Sequence, residues 1–245
     1  MTSRSRPRPT GILNRVDPKT RRIVATVAVG SGSSTIAAGE DSVWVSNQKG
    51  NTVVQIDPAG SRIVRTVHID DSPLWLFPSD GALWVGTGNG NIYRIDPSTG
   101  RTARSPERGT LANVGAGGVW VTGDGSPNGR LGKIDAERLR RAGPSLGLNI
   151  VPAWVGIAGD QLWVGRLYGF CVRNRGYRGR VPTSLGWSRH DPGTLKPLSL
   201  PIHVGEIRGT PVYASGAFWL PEPFTDRLIR IDLTSADAVR PPGGS

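Results

Sequence analysis

The chain has 245 residues, of which 37% are hydrophobic, and it carries a formal net charge of +11. Its 34 glycines and 20 prolines are typical of many short strands joined by tight turns, and its length allows a sizeable core. No run of about eighteen apolar residues is present, and basic residues 1–9 precede no apolar stretch, so the residues favour a cytoplasmic protein over a membrane or secreted one. A single cysteine, Cys171, excludes an internal disulfide.

Two short phrases recur along the chain with a period of about forty residues. The first is a tryptophan between two apolar residues, and it occurs at Trp44, Trp84, Trp120, Trp163 and Trp219. The second ends on an aspartate that proline often follows, and it occurs at Asp17, Asp57, Asp96, Asp135, Asp191 and Asp232. A fixed period of this length predicts stacked copies of one small β-unit.

In chain order, the elements begin with two predicted strands, Ile12–Val16 and Ile23–Val29, that precede the first tryptophan phrase. The first full copy then follows as four strands, predicted at Thr35–Ala38, Ser42–Ser46, Thr52–Ile56 and Ile63–Ile69. Four strands in about forty residues make one blade of a β-propeller. The last copy reads as strands at Pro211–Ala214, Ala217–Leu220 and Leu228–Ile231, with a fourth near Ala236–Val239.

The sequence therefore predicts an all-β propeller of four-stranded antiparallel blades, with five full copies after an N-terminal half-blade. The half-blade has outer strands and no inner ones. Two arrangements remain open, namely a six-place ring and a larger propeller of which this chain is one part. The predicted organisation is a disordered basic tail over 1–10, a propeller over 11–235 and a C-terminal tail over 236–245.

The repeated aspartates and tryptophans favour structural roles. In turns such as Asp17-Pro-Lys-Thr and Asp96-Pro-Ser-Thr, proline presets the backbone and the carboxylate accepts N–H groups of the same turn. One large side chain at the same register of each copy is suited to packing between blades. We therefore expect turn chemistry from the aspartates and core packing from the tryptophans.

The stretch GSGSSTIAAGEDSVWVSNQKGNTVVQIDPAGSRIVRTVHID resembles the YVTN or YncE-like β-propeller repeat, and the likeness extends from Gly11 to Asp232. The virginiamycin B lyase group has a similar repeat. The resemblance implies a propeller that serves as a sensor or scaffold module, as in actinobacterial multidomain proteins. The 26 arginines against 4 lysines also fit such a GC-rich source.

Propellers bind ligands at the mouths of the central channel, where polar loop residues are expected. Trp75 and Trp154 lie outside the tryptophan phrase and begin predicted innermost strands, where an aromatic face stacks on a flat ligand or else packs between blades. Asn47, Asp71 and Arg208 fall on loops of the same face. These five residues are the candidate ligand contacts, although Asn47 is also placed to cap the turn at Gly50.

The fourth copy carries about fifteen extra residues between Val164 and His190. This Arg-aromatic insert has six arginines and no acid, and Tyr168, Phe170, Tyr177 and Trp187 are interleaved with them. Guanidinium groups bind anions through paired hydrogen bonds, and aromatic rings stack on bases. The candidate anion contacts are Arg166, Arg173, Arg175, Arg178 and Arg180, and the alternative is a solvated, mobile segment.

Enzyme motifs are absent from the sequence, and the Gly86–Gly90 run leads into a strand rather than a helix. His190 stands where the other copies have an apolar residue before aspartate, so its imidazole needs a partner. The alternative to a non-enzymatic module is a metal-dependent lyase or lactonase-like hydrolase. It would hold a divalent ion such as Mg²⁺ or Ca²⁺ with Asn47, Asp124 and Glu222.

The sequence thus predicts a non-enzymatic binding, scaffold or sensor module without a cofactor. Its expected partner is a protein or a small polar or anionic ligand, bound on the face with the insert. Nucleic acid is disfavoured because no nucleic-acid motif accompanies the charge, and no membrane partner is expected. An unpaired blade edge also favours self-association.

Overall fold

The structure, a computed structural model, describes residues 11–123, 129–148, 154–168, 184–204, 211–222 and 227–233. Its named elements are all β-strands, and every described pair of neighbouring strands is antiparallel. No helix in this part of the chain has the length and apolar character needed to cross a membrane. The chain divides into two compact units, residues 1–111 and 112–245.

The first unit opens with a two-stranded half-blade and continues with two complete four-stranded blades. The half-blade consists of β1 (Ile12–Val16) and β2 (Ile23–Ala28). The first blade consists of β3 (Ser33–Gly39), β4 (Ser42–Asn47), β5 (Thr52–Asp57) and β6 (Arg62–His68). The second blade consists of β7 (Pro73–Ser79), β8 (Ala82–Thr87), β9 (Asn91–Ile95) and β10 (Thr102–Arg108).

The remaining strands form two four-stranded sheets and one sheet with three described strands. The third blade consists of β11 (Thr110–Gly115), β12 (Gly118–Thr122), β13 (Arg130–Ile134) and β14 (Arg141–Gly147). The fourth consists of β15 (Trp154–Ala158), β16 (Gln161–Tyr168), β17 (Ser184–His190) and β18 (Ile202–Val204). The fifth consists of β19 (Val212–Ala214), β20 (Ala217–Glu222) and β21 (Arg227–Asp232).

This architecture confirms the predicted all-β propeller of repeated blades after an N-terminal half-blade. The predicted strand Ile12–Val16 is exact, and those of the first copy are right to within about two residues. The predicted fourth strand of the last copy, near 236–239, lies outside the described residues. The repeat period predicts the strand bounds well because the same local pattern of apolar residues and turns defines each strand.

Strand position within a blade explains the burial pattern. The second strand of each blade is apolar on both faces, as in β8, where every residue from Ala82 to Thr87 is buried. The outermost strands alternate, as in β6, where Val67 is buried between exposed neighbours. A middle strand has a neighbouring blade on each face, whereas an outer strand has water on one side.

Four of the five column tryptophans are packed in the core, as predicted, whereas Trp219 is only partly buried. Trp44, Trp84, Trp120 and Trp163 are each at most 1% exposed. The indole N–H of Trp44 donates to the carbonyl of Gly39 at 3.2 Å, and that of Trp120 donates to Gly115 at 2.8 Å. Burial of the ring and satisfaction of its one donor make each tryptophan worth about 3–5 kcal/mol against alanine.

The predicted aspartate turns are also confirmed. Asp96 Oδ1 accepts from the Ser98 and Thr99 N–H groups at 2.8 and 3.0 Å and from the Ser98 hydroxyl at 2.7 Å. These bonds, led by the one from the Ser98 side chain, lower the pKa of Asp96 to about 2. Carboxylates at the same position accept backbone N–H groups in four other turns, those of Asp17, Asp57, Asp135 and Asp191.

One backbone position in these turns has a left-handed conformation. The fourth residue after the aspartate has a φ of 58° at Arg21, 56° at Leu139 and 59° at Leu195, and Gly100 holds the same place with a φ of 73°. The backbone N–H of that residue donates to the aspartate carbonyl, at 2.8 Å for both Arg21 and Gly100. Glycine adopts this conformation without the steric cost that the other residues bear.

Candidate functional site

Asn47 lies at the end of β4 and is 2% exposed. Its side-chain amide donates to the carbonyl of Val29, which follows the half-blade, and to the Thr52 hydroxyl at 3.2 Å across the β4–β5 hairpin. Its Oδ1 atom is buried without a hydrogen-bond partner. The amide therefore spans the hairpin and ties the half-blade to the first blade, whereas the predicted cap at Gly50 would use Oδ1, which accepts no hydrogen bond.

Asp71 follows β6 in the segment that leads to the second blade, and it is 7% exposed. Its Oδ1 accepts from the Ser72 N–H at 2.7 Å and the Asn89 amide at 2.6 Å. Its Oδ2 accepts from the Thr87 hydroxyl at 2.6 Å and the Asn91 amide at 2.7 Å. Two bonds on each oxygen leave the carboxylate fully engaged within the protein.

The environment of Asp71 favours its ionised form. Burial of the carboxyl group raises its pKa, but the bonds from Thr87, Ser72, Asn91 and Asn89 lower it by more, so the pKa lies below its usual value of 3.8. Asp71 therefore fastens the connecting segment to the β8–β9 hairpin as a buried anion. We interpret it as an anchor that shapes the loop face, while its role as a ligand contact stays a prediction.

The two extra tryptophans are both partly buried in first strands of blades. Trp75 lies in β7 opposite Gly86, and a Cβ atom on Gly86 would stand 3.2 Å from its ring. Trp154 begins β15 opposite Gly165 and packs against the hydrophobic cluster that contains Trp163 and Phe218. Packing within the protein buries part of each indole ring. Stacking of a ligand on the exposed part stays a prediction.

The Arg-aromatic insert extends the central hairpin of the fourth blade. Strand β16 has eight residues, and its pairing with β17 continues outward to Tyr168 opposite Ser184. Arg166 lies in this extension, opposite Gly186. Six of the remaining predicted contacts lie outside the described residues, namely Arg173, Arg175, Arg178, Arg180, Arg208 and Asp124. The side chain of Glu222 is also outside the described part of the chain.

Trp187 belongs to the core rather than to the exposed aromatic residues of the insert. It is 0% exposed and its ring centroid lies 5.6 Å from that of Phe218. Counting back from the aspartate gives the reason, because Trp187 precedes Asp191 by four residues, as Val53 precedes Asp57. The residue four before the aspartate faces the interior in both copies.

His190 has the partners that its buried position requires. It is 2% exposed, its Nδ1 lies 2.9 Å from the Leu195 carbonyl, and its Nε2 lies 2.9 Å from the Ser188 hydroxyl. A carbonyl only accepts, so Nδ1 carries the proton and Nε2 accepts from the serine. The imidazole thus closes the Asp191 turn, where other copies use isoleucine packing.

A cleft of about 700 Å³ adjoins this histidine in the second unit. Its lining is mixed, with Asp160, Gln161, His190 and Asp191 beside apolar Leu198. Sequence reasoning did not find it, because its residues come from separate turns of the third and fourth blades. Among the described residues, no group of three or more histidines, cysteines or carboxylates is placed to hold a metal ion.

A column of long polar side chains opposite the tryptophans was also missed. The residue that pairs with each column tryptophan is Gln55, Arg94, Lys133, Arg189 or Arg230. Lys133 Nζ lies 5.9 Å from the centre of the Trp120 ring, and Arg230 Cζ lies 5.6 Å from that of Trp219. Such cation–π contacts contribute about 0.5–2 kcal/mol each. The sequence signal was available, since each of these residues stands two before a repeated aspartate.

Comparison with solved structures places the chain in the β-propeller class. Hydrazine synthase of Kuenenia stuttgartiensis is similar over 92% of this chain and 72% of its own, with a TM-score of 0.64 and 15% identity. The Cps50 (Swd1) propeller domain of Myceliophteria thermophila is similar over 92% of both chains, with a TM-score of 0.54 and 10% identity. BamB of Moraxella catarrhalis is similar over 91% of this chain and 82% of its own, with a TM-score of 0.51 and 12% identity.

Within this class, a family model described as a repeat of unknown function (DUF6923) matches residues 6–138. The chain belongs to this repeat family. A search of curated proteins finds no match. Identities this low to the solved structures carry the fold alone, and the fold supports a binding or scaffold module without selecting a particular chemistry.

Proposed function

We propose that the chain is a non-enzymatic, YVTN-like binding or scaffold module, whose protein partner or anionic ligand binds on the face that bears the Arg-aromatic insert. The bonding of Asp71 is the observation that carries this proposal. Its two oxygens accept four hydrogen bonds from within the first unit, so this buried acid fastens the connecting segment to the β8–β9 hairpin. A catalytic or metal-binding acid would instead keep a lone pair directed at its substrate or ion.

The distribution of charge supports an anionic ligand. The insert holds six arginines and no acid, and residues 1–22 hold seven basic residues against Asp17, so the rest of the chain is close to neutral. Arginine presents a planar fork of donors that matches carboxylate and phosphate groups. A basic segment on a nearly neutral body concentrates anions locally.

Retention on a heparin column tests the anionic part of the proposal. The insert variant carries glutamine at Arg173, Arg175, Arg178 and Arg180. The control carries glutamine at four arginines of the propeller body, Arg101, Arg104, Arg138 and Arg140, and has the same net charge. We expect the insert variant to elute at clearly lower salt than the control. Equal elution of the two would show that retention follows net charge and would refute binding by the insert.

Calorimetric titration with Mg²⁺ and Ca²⁺ tests the non-enzymatic part. The unmodified chain is compared with Asp124→Ala and Glu222→Ala. We expect no saturable heat for any of the three proteins. Tight binding that either substitution removes would instead favour the metal-dependent lyase or lactonase alternative.

A further inference from the structure

Each column tryptophan of the described clusters is enclosed by the same set of neighbours. The cage around Trp44 uses residues of its own β5–β6 hairpin and residues of the next blade's first three strands. The members from its own blade are Val53, Val67 and Ile69, and those from the next blade are Leu76, Leu83, Val85, Tyr93 and Ile95. Two adjacent blades therefore share one tryptophan.

The second unit repeats this arrangement. Trp120 packs with Leu131 and Leu148 of its own blade and with Val155 and Leu162 of the next. By register, these four correspond to Val53, Ile69, Leu76 and Leu83 of the first cage. The cage is thus a property of the repeat rather than of one blade.

The half-blade and the first blade form the same cage without a tryptophan. Its members are Leu13, Val27, Val29, Val43, Val45, Val54 and Ile56. Register matches them one by one to the cage of Trp44, as Leu13 opposite Val27 corresponds to Val53 opposite Val67. We call these seven residues the half-blade cage.

An open cleft adjoins the half-blade cage. It has a volume of about 300 Å³, and Leu13, Val27, Val43 and Ile56 line it. Ile36 corresponds to Leu76 of the Trp44 cage, yet Ile36 is 59% exposed whereas Leu76 is 5% exposed. A large apolar residue at a core register of the repeat therefore faces solvent in the first blade.

The edge of β1 that has no partner among the described strands supplies a matching backbone template. Strand β1 corresponds to β5, which pairs on one side with β6 and on the other with the tryptophan strand β4. In the described residues, β1 pairs only with β2. Arg15 stands two before Asp17, which is the position that faces the tryptophan in every complete copy, as Gln55 faces Trp44.

We propose that the half-blade cage receives a tryptophan carried on an extended strand of another polypeptide. The strand adds to the edge of β1 in antiparallel register, with its tryptophan opposite Arg15 and the indole ring beside Ile36. Main-chain bonds along β1 give affinity, and the cage selects the indole, as in other cases of strand addition. The proposal deepens the proposed binding function by naming a partner class for the half-blade.

The tryptophan is not supplied by these 245 residues. All eight tryptophans of the sequence lie in described strands, and the tryptophan strands β4, β8, β12, β16 and β20 are each paired on both sides. A second copy of the chain would have to unfold a blade to donate one. A separate polypeptide with a free tryptophan strand has no such cost.

A peptide that copies residues 33–47 of this chain, SSTIAAGEDSVWVSN, is a direct probe because it contains an inner strand and a tryptophan strand in their native order. With a fluorescent label, its binding is measured by anisotropy. We expect saturable binding to the full chain, and about a tenfold or greater loss when the peptide tryptophan is replaced by alanine. No saturable binding, or equal binding of both peptides, would overturn the proposal.

Two variants of the protein form a matched pair. Ile36→Glu places a charge at the register that Leu76 holds in the Trp44 cage, and Ile63→Glu places the same charge on an equally apolar, 43% exposed residue of β6. Both positions face solvent, so both variants should fold. We expect about a tenfold loss of peptide affinity for Ile36→Glu alone. The same affinity for both would overturn the assignment to the half-blade cage.

Sedimentation of the unmodified chain over a range of concentrations tests whether a second copy of the chain occupies the half-blade cage instead. A dimer that Ile36→Glu removes and Ile63→Glu retains would assign the cage to a second copy and refute a separate strand. Heparin retention can succeed or fail independently of peptide binding. Failure here therefore leaves the proposed anion-binding function standing, and the reverse also holds.

Discussion

Replacement of Asp71 by asparagine should destabilise the first unit more than any change of similar size nearby. Asparagine has nearly the same shape, but one of its two ends is a donor, and each Asp71 oxygen accepts two bonds from donors. The substitution therefore disrupts two of four bonds to a charged group. At about 1.5–3 kcal/mol for each such bond, and with some reorientation of the neighbouring amides, we expect a loss of about 3 kcal/mol.

Thermal and urea unfolding at neutral pH measure this loss, with Asp70→Asn as the control. Asp70 is the adjacent residue and is exposed, so its substitution should change stability by less than about 0.5 kcal/mol. A loss of 3 kcal/mol corresponds to a fall in Tm of roughly 6–12 °C for a chain of this size. Equal stability of the two variants would refute the role of Asp71 as a buried anchor.

The pH dependence of the same comparison has a defined sign. The pKa of Asp71 is below 3.8 in the folded chain, so its stabilising effect is present above 3.8 and is lost as the pH falls through the folded value. The gap between the native chain and Asp71→Asn should therefore narrow on acidification. A Thr87→Ala variant should be partly non-additive with Asp71→Ala, by about 1 kcal/mol or more, because each substitution alone removes the bond between the Thr87 hydroxyl and Asp71 Oδ2.

Three further substitutions test the turns. His190→Ile should lower the free energy of unfolding in urea by about 1–3 kcal/mol, because the Leu195 carbonyl and the Ser188 hydroxyl lose their partner. This loss is expected although isoleucine is usual at this position. An unchanged free energy of unfolding would contradict the bonding described. Asp96→Asn should lower Tm at pH 6, with the difference fading as the pH approaches 2, and a constant difference would exclude the carboxylate as its cause. Arg21→Gly should raise stability by about 0.5–1 kcal/mol, since Arg21 has a φ of 58°, and a loss would show that its side chain outweighs the backbone strain.

The sequence predicted the blades well because each strand depends on local information. An apolar middle strand, a turn aspartate and an alternating outer strand recur at nearly constant spacing, and β1 was placed exactly from this pattern. Trp187 shows where counting failed. Its distance from Trp163 assigns it to the insertion, whereas its distance from Asp191 matches that of Val53 from Asp57 and would have assigned it to the core.

The candidate site was less predictable because its bonds join distant parts of the chain. Asp71 was selected as a polar loop residue, but its partners Asn89 and Asn91 are brought to it by the β8–β9 hairpin. Asn47 was assigned to a local turn, and its bond to Val29 depends on how the half-blade meets the first blade. Residue type predicted polarity at these positions, whereas the partners depended on the fold.

Comparison of Asn47 with Thr87 explains why the copies differ at this position. Both stand three residues after a column tryptophan, and both bind the segment that connects the preceding outer strand to their own blade. Asparagine reaches the Val29 carbonyl directly, whereas the shorter threonine needs an acceptor brought to it, which Asp71 provides. A repeat protein tolerates such exchanges because each interface between blades needs a satisfied contact rather than a fixed residue. At the half-blade, by contrast, no described strand pairs with β1 at the tryptophan register, and Ile36 stays exposed. That difference separates the half-blade cage from the other irregularities of the repeat and supports its assignment to a partner.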